Sequence, residues 1–182
     1  VRRAQRASKE GDFVAEIAPV TIKTRKGEQV VATDETPFQL DIDKIPTLKP
    51  AFGKDGTVTA ASSSSISDGA AAIVLMSESA ARAAGLKPLA RLVSYASHAQ
   101  APEWFTTAPA PSMQKALERA GWKVTDVDMF EINEAFACVA MAAMQDLGLR
   151  HDQVNVNGGA CAMGHPIGAT GAILTVKCLY EL

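Results

Sequence analysis

Cysteine is scarce in this sequence. It occurs three times, at positions 138, 161 and 178, an odd number with no Cys-x-x-Cys pair. That count argues against a disulfide framework or a cysteine cage for zinc, and it suits a reducing cytoplasm. Aromatic residues are also few, at 5%. Charge of neither sign dominates: 18 Lys and Arg against 20 Asp and Glu give a formal net charge of −2. Nucleic acid and anionic membrane surfaces are therefore not expected as partners. No apolar run approaches the roughly 18 residues of a membrane span. The basic start from Val1 to Arg6 leads into no apolar segment, so it does not read as a secretory signal.

What is abundant is alanine, with 32 residues, in a chain that is 47% apolar and 21% charged. That is the balance of a folded globular protein rather than a disordered one. A core of Ala, Val, Ile and Met needs elements that approach closely, as helix-on-sheet layers do. The 182 residues suffice for one ordinary domain. The chain begins at Val1 and stops at Leu182 within an apolar, helix-like run, so it is read as a piece of a longer protein.

The local pattern predicts a first helix ending at Gly11. Strand-like stretches at 13–18 and 20–22 follow, then a turn at 24–28 and a returning hairpin strand at 29–32. The proline-rich stretch 34–56 is expected to be mostly loop. A short strand at 57–60 precedes Ser62-Ser63-Ser64-Ser65, which composition alone would make a linker. Residues 70–76 form a continuous apolar run, the pattern of a strand buried on both faces. Ser77 is expected to cap a helix ending near Gly85, and 89–95 is again strand-like. Helices are predicted at 112–120 and 134–147, strands at 127–132 and 154–156, and a final helix after the glycine-rich stretch. Alternation at this spacing implies an α/β layered domain.

Two strand-to-helix junctions stand out chemically. In the first, Asn133 and Glu134 lie where a strand gives way to a helix. Asn133 is a natural N-cap, or else its carboxamide holds a water or a substrate oxygen. In the second, five Gly and one Pro occupy the 14 positions 158–171. They force the backbone into conformations that other residues avoid. His165, between Gly164 and Pro166, sits on this pinned backbone. It can be a buried core histidine, part of a phosphate-binding loop, or a general base, a task suited to an imidazole on a rigid loop. The Gly spacing is neither GxGxxG nor a GK[ST] loop.

Asn133-Glu134-Ala135-Phe136, together with N-x-x-G-G-x-x-x-x-G-H-P-x-G-x-x-G from Asn155 to Gly171, resembles the thiolase family. Its enzymes form or cleave a carbon–carbon bond between acyl groups carried on coenzyme A. Lys49-Pro50-Ala51-Phe52, Thr57-Val58-Thr59-Ala60, Ser67-Asp68-Gly69-Ala70-Ala71 and Gly121-Trp122-Lys123 follow the same family pattern. The resemblance implies that His165 activates a nucleophilic cysteine and helps stabilise the thioester oxyanion. Asn133 would hold a water that completes the oxyanion hole. Phe136 and Ile167 would border the acyl pocket, while Phe52, Ala60 and Ser64 would line the pantetheine tunnel. The serine run is then a site loop rather than a linker.

The family's nucleophilic cysteine and its second acid/base cysteine match none of the three present here. Cys138, Cys161 and Cys178 are read as packing residues. Asp68 and Glu134 are expected to hold turns and caps, and Trp104 and Phe105 to anchor a loop. The implied architecture is a five-layered αβαβα fold. Residues 1–66 would be the tail of a loop domain that covers CoA, 67–88 the last strand and helix of the N-terminal domain, and 89–182 most of the C-terminal domain. No cofactor is expected, since coenzyme A thioesters are substrates. The full-length protein is expected to be a homodimer or homotetramer. Ile167 and Ala169 lean toward members that condense two acetyl-CoA to acetoacetyl-CoA, or run in reverse. A degradative 3-ketoacyl-CoA thiolase and a non-catalytic CoA-binding or assembly module are the alternatives.

Overall fold

The computed structural model describes residues 1–182. Helix α1 spans Arg2–Glu10 and stops at Gly11, whose φ of 86° lets its N–H turn back to the Ala7 carbonyl. Ala4 and Ala7, three residues apart, are fully buried on one face of the helix. Gly158 crosses at Ala4, where a Cβ would lie 2.9 Å from the Ala4 backbone nitrogen. Strands β1 (Val20–Thr24) and β2 (Gly27–Val31) form an antiparallel hairpin, in register from Val20↔Val31 to Thr24↔Gly27. Thr24 Oγ1 accepts the Lys26 N–H at 3.2 Å and closes the turn.

Helix α2 (Thr36–Gln39) buries Pro37, and α3 (Glu78–Ala83) is capped by Ser77, whose Oγ accepts the Ala80 N–H at 3.2 Å. Helices α4 (Pro109–Ala120) and α5 (Ala137–Leu147) end at Gly121 and Gly148, with φ of 70° and 65°. Helix α6 (Ala160–Met163) and helix α7 (Thr170–Glu181) complete the chain. The core joins Ala110, Phe130, Ile132, Ala140, Ala143, Leu149 and Val154. Three alanines among the seven let α4 and α5 approach closely over the segments around Phe130 and Val154.

The expected strands fare differently from the expected helices. Residues 13–16 form a turn and 17–18 have no regular structure; the N–H groups of Glu16 and Ile17 bond back to the Phe13 carbonyl. The predicted strands 127–132 and 154–156 contract to one parallel bridge, Phe130↔Val154. The expected strands at 57–60, 70–76 and 89–95 join no ladder, and Ala60 opens a 3-10 turn instead. Within 70–76 the apolar run is open rather than buried, with Val74 83% and Leu75 77% exposed. An apolar run specifies a strand buried on two faces only when other strands and helices lie against it.

Candidate functional site

The Phe130↔Val154 bridge lays the segment carrying Asn133 beside the one leading to His165. Beyond it, the buried Asn155, at φ 48°, replaces a strand partner with its side chain. Its Oδ1 accepts the Ile132 N–H at 2.8 Å, and its Nδ2 donates to the Ile132 carbonyl at 2.9 Å and to Glu134 Oε1 at 2.8 Å. The other Glu134 oxygen accepts the Cys161 N–H at 3.1 Å, in the first turn of α6. An acceptor there satisfies an otherwise free helical N–H. Gly159 leaves room for this carboxylate, since a Cβ at 159 would lie 2.2 Å from Glu134 Cδ. Glu134 therefore holds turns together.

Asn133 is not an N-cap. Helix α5 starts later, with Phe136 in the cap position and no side-chain cap. The Asn133 side chain instead meets His165, with Nδ2 3.2 Å from His165 Nε2. Asn133 Oδ1 is buried without a partner. On its other edge, His165 Nδ1 lies 2.7 Å from Thr170 Oγ1, and that hydroxyl donates to the Pro166 carbonyl at 2.9 Å. With that proton on the Pro166 carbonyl, Thr170 accepts from Nδ1–H. His165 is then the Nδ1–H tautomer, with a bare Nε2 that accepts from the Asn133 carboxamide. The arrangement leaves one basic nitrogen, aimed and fixed from behind.

The serine run ties both halves of the site. Ser64 donates from its N–H (3.1 Å) and its Oγ (3.0 Å) to the Ala135 carbonyl. The Ser65 carbonyl accepts the His165 N–H at 3.0 Å. Gly164, at φ 97°, lets the loop pass Ser67, whose Oγ would be 2.1 Å from a Cβ there. Phe136 packs against Phe52, edge to face with ring centroids 6.1 Å apart, and against Phe105 at 6.2 Å. Ala60 lies in the 3-10 turn Ala60–Ser62 beside Ser64. Ile167 is 78% exposed and lines an open cleft with Ser67, Gly69 and Pro166.

Thr170 was not singled out from sequence as a site residue, and Phe105 was expected only to anchor a loop. Thr170 stands within the glycine-rich motif, five residues after His165, where its position at the start of α7 is the available signal. Burial pushes the Cys161 thiol up to about 12, and the neighbouring Glu134 carboxylate adds to the effect. Burial also raises Cys178. Cys138 is exposed rather than packed, because it lies on the outer side of α5. Behind the site, Lys177 and Glu131 form an ion pair at 3.0 Å with side chains only 6% and 3% exposed.

Two family models match the chain: "Thiolase, N-terminal domain" over residues 1–79 and "Thiolase, C-terminal domain" over residues 86–182. The acetyl-CoA acetyltransferase of Paracoccus denitrificans is 49% identical over 181 residues, covering 99% of this chain and 46% of that protein. The crystal structure of the Bacillus anthracis acetyl-CoA acetyltransferase superposes with a TM-score of 0.95 at 45% identity, covering 100% of this chain and 46% of that one. A thiolase from Ascaris suum, solved in complex with coenzyme A, gives a TM-score of 0.89 at 37% identity over 100% of this chain and 46% of its own. The chain thus spans a little under half the length of the relatives it matches.

Proposed function

This chain belongs to the thiolase family, and on that premise we propose that the protein containing it is an acyltransferase that joins two acetyl-CoA into acetoacetyl-CoA and CoA, or runs the reverse thiolysis. The observation that carries this reading is the 3.2 Å contact of His165 Nε2 with Asn133, made while Nδ1 is committed to Thr170. In the first half-reaction, Nε2 takes the proton of a cysteine thiol supplied from outside residues 1–182. The thiolate attacks the acetyl-CoA carbonyl, and CoA leaves as it takes a proton from the second acid/base cysteine, also supplied from outside residues 1–182. The imidazolium Nε2–H, with a water held by Asn133, faces the oxygen on which charge develops. In the second, the second cysteine, now a thiolate, takes an α-proton from an acetyl-CoA, whose carbanion attacks the acetyl thioester; the new carbon–carbon bond forms as the first cysteine leaves and takes back the proton held on His165 Nε2.

Phe136 and Ile167 border the acyl group, and Phe52, Ala60 and Ser64 line the approach of the pantetheine arm. Coenzyme A thioesters are substrates, and no further cofactor takes part. The whole protein is a cytoplasmic homodimer or homotetramer. Residues 1–182 by themselves do not turn over: Cys161 is held neutral, the Cys178 thiol is raised by burial, and Cys138 has no base beside it in the described hydrogen bonds.

In the full-length protein, His165→Ala is expected to abolish acyl transfer from acetyl-CoA, read as loss of the acyl-enzyme by mass spectrometry. Unchanged acylation removes His165 from the mechanism. Purified residues 1–182 should give no acetyl-CoA from acetoacetyl-CoA and CoA, and a measurable rate there would overturn the assignment of the nucleophile to the rest of the protein.

A further inference from the structure

We propose that Lys177 is a positioning residue that fixes the Asn133–His165 pair from behind, a role that rests on the reading of that pair as the acyl-transfer site. Its ammonium joins the two chain segments that deliver the pair. Nζ lies 3.0 Å from Glu131 Oε2 and 2.7 Å from the Gly158 carbonyl. Glu131 stands two residues before Asn133. Gly158 opens the glycine-rich loop seven residues before His165 and has a φ of 92°. Helix α7 therefore reaches the site twice. Thr170, in its first turn, holds His165 Nδ1 at 2.7 Å. Lys177, about two turns along, holds the carboxylate behind Asn133 and the carbonyl at the root of the loop.

A buried ion pair is a weak source of net stability, because desolvating two charges offsets most of their attraction. Its use is to fix geometry, since an ammonium must keep its acceptors within hydrogen-bonding distance or remain buried unpaired. The loop needs such a tie because its many glycines leave the backbone intrinsically free. The pair is otherwise enclosed, with both side chains nearly inaccessible. Lys177 is also the cation acting on Glu16 and Asp34. Removing it alone leaves a buried carboxylate at Glu131 unopposed, so the test neutralises both partners.

The test uses the full-length protein and the paired change Lys177→Met with Glu131→Gln, which keeps length and shape while removing both charges. This pair replaces the single Lys177→Met variant, which is at risk of not folding. The paired variant should unfold within a few degrees of the parent. Its kcat for acetoacetyl-CoA thiolysis should fall about 10- to 100-fold with KM changed less than about twofold, the signature of a misplaced reacting group. In an Asn133→Ala background the same paired change should cost a clearly smaller fold-loss in kcat than in the parent, because one of the two groups it positions is gone. An undiminished kcat in the paired variant overturns the proposal. So does an equal fold-loss in the Asn133→Ala background, which would make Lys177 a general structural residue. If Asn133→Ala alone leaves kcat intact, the acyl-transfer reading of the site falls, and the role of Lys177 with it.

Discussion

Thr170→Val isolates the one contact that sets the tautomer of His165. The substitution keeps the shape of a residue that is only 7% exposed and deletes Oγ1. Two bonds go with it: acceptance from His165 Nδ1–H at 2.7 Å and donation to the Pro166 carbonyl at 2.9 Å. An N–H left without a partner in a buried place costs about 1–3 kcal/mol. The imidazole escapes that cost by moving its proton to Nε2, where the unpartnered Asn133 Oδ1 can accept it once the carboxamide turns. The basic nitrogen is then no longer the one facing the site. Taken at about 1.4 kcal/mol per tenfold, the penalty corresponds to a roughly 5- to 150-fold loss in acyl-enzyme formation. The tautomer is read directly from long-range nitrogen–proton correlations in histidine-labelled full-length protein, to which residues 1–182 contribute three histidines. The parent should show Nδ1–H at His165 and the variant a populated Nε2–H form. An Nε2-protonated parent, or a variant that keeps both its tautomer and its acylation rate, refutes the reasoning.

Gly159→Ala drives a methyl into a Glu134 carboxylate that Asn155 and Cys161 hold in place. It should destabilise the fold by about 1–3 kcal/mol in denaturant titration. Gly168→Ala, with open space around it, should stay within about 0.5 kcal/mol of the parent, and similar losses at both glycines would count against the clash. At pH 8, iodoacetamide should label the exposed Cys138 well before Cys161, whose thiol is pushed up to about 12. Equal labelling of the two by peptide mapping contradicts the buried, carboxylate-flanked setting of Cys161. The Glu16 carboxyl is raised, first by burial and then by Glu131, Asp34 and Glu181, against the opposing pull of Lys177. Its charged form is therefore penalised only in the folded state. The penalty is absent where the group is protonated in both states, and complete above its raised value. Glu16→Gln should accordingly raise Tm more at pH 7 than near pH 4, and an equal change at both pH values argues against it.

Much of the local structure was legible because its determinants lie within a few residues. The glycines at 11, 121 and 148 end helices as expected, since a left-handed residue lets the last turn close on itself. Ser77 caps α3, and the hairpin closes around 25–26. The glycine-rich motif and Asn133-Glu134-Ala135-Phe136 identified the family before any geometry was known. Strands were legible only as propensity. The apolar stretch at 70–76 records what a strand wants against it, while pairing depends on segments elsewhere.

The sequence by itself determined the helix ends, the pinned backbone around His165 and the identity of the two motif segments. Each of these follows from backbone sterics or from bonds spanning a turn. Tertiary structure alone decided that the Asn133 carboxamide meets His165 instead of capping α5, across 32 positions of chain. It alone assigned the imidazole's second edge to Thr170, fixed the serine run across both segments, and gave Lys177 its two acceptors. Such contacts join residues distant in sequence, and composition and periodicity carry no record of which distant groups a folded chain brings within 3 Å.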